Sequence, residues 1–529
     1  MTQTSSQHKN RTFKHQHRTS KYQHRTSKYQ RRTSKYQNCT SKHQHRTSKY
    51  QNCTSKYQHR TFKHQHRTTK HQHRTSKQSN AGRHIHTHTN RHINPLTNGN
   101  IKKHLITLVF PLLIGNILQQ IYNMTDSIVI SHFCGTSAFA AAGISGTVMN
   151  LFLFVIGGCC TGISIILASF FGNKDMKNFR KECFISLTFG LIFTITLSIT
   201  SILALPFILH LIQTPPVIFP YVYSYLNVIL GGLSASFLYN LCASVLRAIG
   251  NTKYALLFLL ISIGTNVLLD LILVAGFRLG IAGAAWATVI SQLLSASLCL
   301  CYIKKSLPFL LFQKEDLYPD PDLLRQTICF AAASALHQSS LYIGKLFIQG
   351  AVNTLGTESI SAYTAAGRIE GLANAFGDSG AESISLFTAQ NTGAGNKKRT
   401  RSGFYTGLML LVLLGITMSL LMYTTSGPGI SLLAATTQPG LLNAGASYIQ
   451  AISCFYVLCF IGNSFVGFYR GSGHVSIPFI GTIIHITLRT LLSFLLIPRL
   501  GLPAVAISTG IGWIAVVAFQ TIIYMKYYR

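Results

Sequence analysis

Acidic residues are scarce in this chain, and its first part has none. Of 529 residues only 12 are Asp or Glu, against 46 Lys and Arg, and no acid precedes Asp126. Residues 1–100 hold 22 Lys and Arg and 15 of the 21 His. A segment with one sign of charge cannot neutralise itself through internal ion pairs, so this stretch excludes a packed core. Also missing are a CxxC pair, any spacing suited to zinc, a phosphate loop with full spacing, and a nucleophile set beside a base. The N-terminus has no hydrophobic core of the kind a cleavable signal needs. These absences exclude an ATP-driven pump, a zinc site and nucleophilic catalysis; no catalytic residue, metal or cofactor is expected. The 12 cysteines are scattered, ten of them in or beside apolar stretches, and read as small buried thiols.

The basic segment is built from a repeated heptapeptide over residues 10–77, in forms such as HRTSKYQ and NCTSKYQ. Each unit has at most one aromatic residue and no aliphatic pair, so nothing drives a coiled coil despite the period of seven. A disordered tail over 1–100 is expected. Its composition leaves open a basic arm for nucleic acid or acidic lipid, a His-rich metal binder, or a translated tandem repeat upstream of a later start; nucleic-acid binding is the disfavoured reading. Met124 is the only methionine between Met1 and Met149, so a later start would need an alternative codon before Ile101.

After residue 100 the composition reverses, with 24 Lys and Arg against 12 acids. Apolar stretches of bilayer-spanning length follow at 104–131, 138–171, 181–211, 220–246, 254–276, 281–303, 326–354, 359–391, 403–433, 441–470, 476–498 and 501–525. They show no period-two alternation, which predicts twelve transmembrane helices rather than strands. The expected architecture is an all-α integral membrane protein: a six-helix first lobe over 101–303, a linker over 304–325 and a six-helix second lobe over 326–529.

The halves repeat one another. SYLNVI from Ser224 answers SYIQAI from Ser447, and Arg247-Ala-Ile-Gly250 answers Arg470-Gly-Ser-Gly473, both at an offset of 223; Gly135-Thr136 answers Gly356-Thr357 at 221. Duplicated halves are typical of secondary transporters, and six spans per repeat predict pseudo-twofold symmetry about the membrane normal. Loop charges gather on one side, at Lys102, Lys103, Lys174–Lys181, Arg247, Lys253, Lys304, Lys305, Lys397–Arg401, Arg470, Lys526 and Arg529, against only Arg278 and Arg499 on the other. The basic side is expected in the cytoplasm with both termini.

An ionisable residue inside a span costs about 2.5–3.5 kcal/mol on insertion scales, so each is a functional candidate. Asp126 lies in the first span; Asn266 and Asp270, four residues apart on one helical face, lie in the fifth. At the repeat offsets Asp126 answers Phe347, Asn266 answers Arg489 and Asp270 answers Ser493, so neither acid has an acidic counterpart. A duplicated scaffold with unduplicated charge places ion coupling in the first lobe. The eighth span carries Arg368, Glu370, Asp378 and Glu382, and the seventh Lys345. The three acids, roughly on one face, are candidates for contact with a cationic substrate in a cleft, with an internal ion-pair network as the alternative. His337 and His485 read as satisfied core imidazoles.

The strings FPLLIGNILQQIYNMTDSIVISHFCGTSAFAAAG at 110–143, LRAIGNTKYALLFLLISIGTNVLLDLILVAGFRLGIAGAAWATVISQ at 246–292, FTAQNTGAG at 387–395 and FYRGSGH at 468–474 resemble the multidrug and toxic compound extrusion family, within the multidrug/oligosaccharidyl-lipid/polysaccharide flippase superfamily. The resemblance covers nearly everything after residue 100 but has no counterpart for the tail. It implies export of organic cations or drugs across the bilayer by alternating access, in exchange for H⁺ or Na⁺. It also implies an ion-coupling site at Asp126, Asn266, Asp270 and Thr288 with Tyr122 nearby, and a conformational hinge at Pro111. A monomer in a bacterial inner membrane is the expected setting. Two alternatives remain open: a flippase for a lipid-linked or amphipathic metabolite, and a membrane anchor for the basic tail.

Overall fold

The computed structural model describes residues 96–528 apart from 213, 319 and 435–437. The repeat tail, and with it the expectation of disorder there, lies outside the described residues. Among the described residues every regular element is helical, the form in which a chain satisfies its backbone polar groups without water. The first stretch, Ile101–Gly172, leaves helical dihedrals only at Gly135, with φ 82° and ψ 178°, and so divides into α1 (101–134) and α2 (136–172). That conformation is open to glycine and strained for other residues. Pro111 stands inside α1, where the backbone stays helical.

Four elements complete the first lobe. They are α3 (Met176–Leu211), the bent pair α4 (Phe219–Gly231 and Leu233–Ala248), α5 (Thr252–Asp270, continuing as a wider π turn over Leu271–Gly276) and α6 (Gly280–Ser306). The second lobe has α7 (Pro321–Val352), α8 (Thr357–Gly393), α9 (Lys397–Thr424), a short helix Ser426–Ala434, the bent pair α10 (Pro439–Ser453 and Tyr456–Gly471), α11 (Ser476–Leu500) and α12 (Pro503–Tyr528). Side chains of Asp175 and Asn396 cap the starts of α3 and α9 by accepting from the third backbone N–H beyond them.

The backbone carries the internal repeat in detail. Gly356, the partner of Gly135, has φ 87° and ψ 171° and opens α8. Left-handed residues recur in pairs at the repeat offsets: Lys174 and Gly395, Gly250 and Gly473, Gly280 and Gly501. The two bent helices match as well, α4 turning by 47° and α10 by 51°.

Eight helices are individually long and apolar enough to cross a membrane, and the two bent pairs raise this to ten. The long helices α7 and α8 fall outside that set. Leu203, Phe207, Met409 and Leu495, all at least 70% exposed, belong to the apolar belt that faces lipid.

Because lipid is as apolar as leucine, helices in a membrane associate through close packing of small residues. Glycines therefore show where the lobes touch. A methyl group added to α2 at Gly158 or Gly162 would strike the backbone of α7, and at Gly172 that of Gln390 in α8; one added at Gly393 would strike Ser169 in return. At Gly143 and Gly146 of α2, and at Gly356, Gly367 and Gly371, it would meet open space. The lobes thus close at the end that carries Lys174 and Arg399 and diverge toward the end that carries Gly135 and Gly356.

The closed end is sealed by the chain segment before α1. Leu96, fully buried, donates its N–H to Gln390 Oε1 at 3.0 Å, while its carbonyl accepts from Arg399 Nε at 3.1 Å. Gln390 Nε2 donates in turn to the Ala248 carbonyl of the first lobe at 2.7 Å. Beside this seam the linker is strapped to α3, where Arg180 Nε meets Asp316 Oδ2 at 2.6 Å and Lys181 meets Asp320 at 3.5 Å. Burial raises the Asp316 carboxyl pKa, but donation from Arg180 and from the Gln313 N–H, with the charges of Arg180 and Lys177, outweighs it and holds the carboxyl below its ordinary value.

Candidate functional site

In the first lobe the structure brings together all five residues expected at the ion site. α1 supplies Tyr122 and Asp126, α5 supplies Asn266 and Asp270, and α6 supplies Thr288. Tyr122 Oη lies 3.1 Å from Thr288 Oγ1, which also accepts from Asn266 Nδ2 at 3.4 Å and donates to the Ala284 carbonyl at 3.1 Å. The Asp126 carboxyl faces Asp270 and Tyr122. Asn266 is 1% exposed and Asp270 0%, although both stand within a lipid-crossing helix.

Several oxygens in this cluster are buried without a hydrogen-bond donor: Asp126 Oδ1, Asn266 Oδ1 and both oxygens of Asp270. Two carboxyl groups set together away from water need positive charge between them. A shared proton can supply it, and so can a hard metal cation, for which carboxylate and amide oxygens are suitable donors. Tyr225 of α4 lies within electrostatic reach of both acids. Sequence reasoning missed it, although it is the second residue of the SYLNVI string that reveals the repeat.

The second lobe is built differently at the equivalent place. Tyr448, the repeat partner of Tyr225, donates to Glu370 Oε1 at 2.6 Å, whereas Tyr225 itself points to Met149 Sδ at 3.8 Å. Met149 and Glu370 are themselves partners at the offset of 221. Tyr456 Oη contacts the Glu370 carbonyl at 3.2 Å and Asn374 Oδ1 at 3.0 Å. Arg489, standing where the first lobe has Asn266, donates to Tyr363 Oη at 3.4 Å and lies within electrostatic reach of Glu370.

The three second-lobe acids do not act as one face. Glu370 turns into its own lobe, whereas Glu382 pairs across the lobes, 3.4 Å from Arg247 Nε of α4. Arg470, the repeat partner of Arg247, is 6% exposed and reaches Glu382 and Asp378 electrostatically, and Lys345 also faces Asp378. Among the described residues the close ion pair of these acids is the one across the lobes, and two pseudo-equivalent arginines that loop-charge counting assigned to the surface stand beside them in place of an internal network. A further buried acid was missed: Glu182 of α3, 0% exposed, accepts from Ser186 at 2.8 Å and from Thr327 of α7 at 3.0 and 2.9 Å. His337 is satisfied by Thr482 at 2.9 Å, whereas His485 stacks on Trp513 with its buried Nδ1 left without a hydrogen-bond partner, unlike the satisfied imidazole expected there. No group of three or more His, Cys, Asp or Glu suited to a metal ion occurs among the described residues.

Comparison with known proteins converges on one family. The MatE family model matches residues 111–272 and again 333–495, once in each lobe. The chain is 27% identical over 71% of its length to the probable multidrug resistance protein YpnP of Bacillus subtilis, covering 84% of that protein. It is 24% identical to the probable multidrug resistance protein NorM of Thermotoga maritima, over 81% of this chain and 92% of the relative. Among solved structures, an outward-facing multidrug resistance MATE transporter of the MOP superfamily superposes with a TM-score of 0.77 at 21% identity, covering 82% of this chain and 97% of the other. A MOP superfamily transporter from Pyrococcus furiosus, described with a binding pocket of reversed polarity, gives 0.76 at 21% identity over 82% and 96%.

Proposed function

This chain belongs to the MatE family of membrane transporters, and from that premise we propose that it exports organic cations or other amphipathic compounds in exchange for H⁺ or Na⁺ entering at the first-lobe site. The observation that carries the proposal is the pairing of Asp126 with Asp270, buried beside Asn266, Thr288 and Tyr122 with four oxygens unpartnered. With the basic end in the cytoplasm, a cleft closed at that end is the outward-open state. A cation arriving from outside neutralises the two acids, shifts α1 against α5 and α6, and lowers the free energy of one lobe arrangement relative to the other. Differential affinity for the two arrangements is all that coupling requires.

Substrate leaves from the open cleft between the lobes, whose walls include the polar helices α7 and α8. Asp378 and Glu382 lie on the cleft side of α8, where an organic cation competes with Arg247 and Arg470 for their carboxylates. Both termini are then cytoplasmic and the protein sits in a plasma membrane. The test is efflux of a fluorescent organic cation from proteoliposomes under a pH gradient and a sodium gradient imposed separately. Movement under one gradient identifies the coupling ion. Silence under both, with folded protein, overturns the proposal.

A further inference from the structure

The two lobes share a scaffold, so the residues that differ at equivalent positions isolate what each site is for. Four positions matter: Asp126 against Phe347, Met149 against Glu370, Asn266 against Arg489, and Asp270 against Ser493. The tyrosine from the bent helix is kept in both, Tyr225 and Tyr448, and in each lobe its hydroxyl points at the residue aligned at 149 or 370. The second lobe therefore holds a carboxylate at the equivalent site, supplied by α8 instead of α1 and α5.

It also holds a cation of its own. The Arg489 guanidinium enters from α11 at the position of Asn266, anchored on Tyr363 at 3.4 Å. The rings of Tyr363 and Tyr448 meet edge to face at 5.5 Å, so the guanidinium and Glu370 Oε1 sit on adjoining tyrosines of one cluster, within electrostatic reach of each other. Arg489 Nε is buried without an acceptor, which leaves its charge to act on this cluster. No other cationic side chain lies in this hydrogen-bonded group among the described residues. An arginine is always charged, and it cannot diffuse away.

We propose that Arg489 is a tethered counter-cation that keeps Glu370 permanently neutralised, so that the second lobe takes up no coupling ion and a one-lobe stoichiometry is built into the chain. The proposal deepens the functional reading above, since it rests on the first lobe being the ion-coupling lobe. Position 489 then determines how many cations the transporter binds per cycle. Asparagine there, the residue of the first lobe, exposes Glu370 as a second cation-binding carboxylate. Lysine retains the charge and leaves the lobe silent.

The experiment counts cations bound by the purified full-length protein at equilibrium, using radioactive sodium in one arm and proton uptake in unbuffered solution in the other. Wild type binds a given number. Arg489→Asn is expected to bind one more, Arg489→Lys the same number, and the double variant Glu370→Gln/Arg489→Asn the wild-type number again. An unchanged count in folded Arg489→Asn overturns the proposal. Where that variant does not fold, the neutral double variant decides: loss of the wild-type cation from it means that the second lobe takes part in coupling, and the proposal fails. Because the readout is binding, an absence of efflux in the wild type would defeat the functional reading and leave this count standing as a separate result.

Discussion

The two lobes repeat the same backbone, down to matched left-handed residues and bends of 47° and 51°, yet differ in how charge is balanced inside them. In the first lobe two carboxyl groups meet with no basic side chain beside them among the described residues. In the second, Glu370 has a tyrosine hydroxyl and a guanidinium. A scaffold that tolerates both shows that buried charge here is not required for packing: the unbalanced arrangement costs stability, and such a cost persists where it serves function. The comparison also marks the boundary between the lobes, because the pairing of Glu382 with Arg247 joins them instead of completing either one.

The largest test of this asymmetry is Asp270→Asn, expected to reduce gradient-driven efflux to the level of empty vesicles, set beside Glu370→Gln, expected to retain it. Equal loss in both variants would end the distinction between lobes. Next in size is the seam. Gly172→Val and Gly393→Val each drive a side chain into backbone across the lobes and should cost about 1–3 kcal/mol of stability, seen as similar falls in Tm; a fall in only one would show that the symmetry of the contact is superficial. Glu382→Gln removes one partner of a partly exposed ion pair, 21% accessible on each side, so about 1 kcal/mol or less is at stake. Spin-label distances across the closed end should then shift toward a more open arrangement, and no change in the distribution would show that the pair carries none of the closure.

The smallest expected effect concerns the strap on α3. Because the folded-state pKa of Asp316 is depressed, its contribution is present above the ordinary carboxylate range and is lost as pH falls through the folded value. The Tm gap between wild type and Asp316→Asn should therefore be widest near neutrality and close below about pH 4. A gap that is constant with pH would point to lost packing instead of lost charge.

Much of this was legible in the sequence because a membrane makes it so. Intramembrane acids are conspicuous against apolar runs, and the repeat offsets reveal that Asp126 and Asp270 have no acidic mates. Pairings that depend on tertiary contact were not legible. Arg247 and Arg470 end their helices and look like loop charge, and only the fold brings them to Glu382. Glu182 stands near the start of α3 among basic residues, so its burial against Thr327 depends on how α7 crosses it. The spacing of Glu370, Asp378 and Glu382 suggested one helical face, but intervals of eight and four drift around a helix by enough to divide them between a lobe interior and a lobe boundary. The bends in α4 and α10 had no proline at the break to announce them.

Leu96 gives the seam a practical meaning for anyone handling the protein. Its backbone is gripped by Gln390, Asn391 and Arg399, and Gln390 also holds the first lobe, so a force applied at Leu96 is delivered to the joint that the proposed cycle would open. A pull at Leu96 is a pull on that joint, while the end of α12 offers a quieter handle. Affinity tags, fluorescent fusions and surface tethers belong at that second end, and a force probe attached ahead of Leu96 would feel the lobes separate.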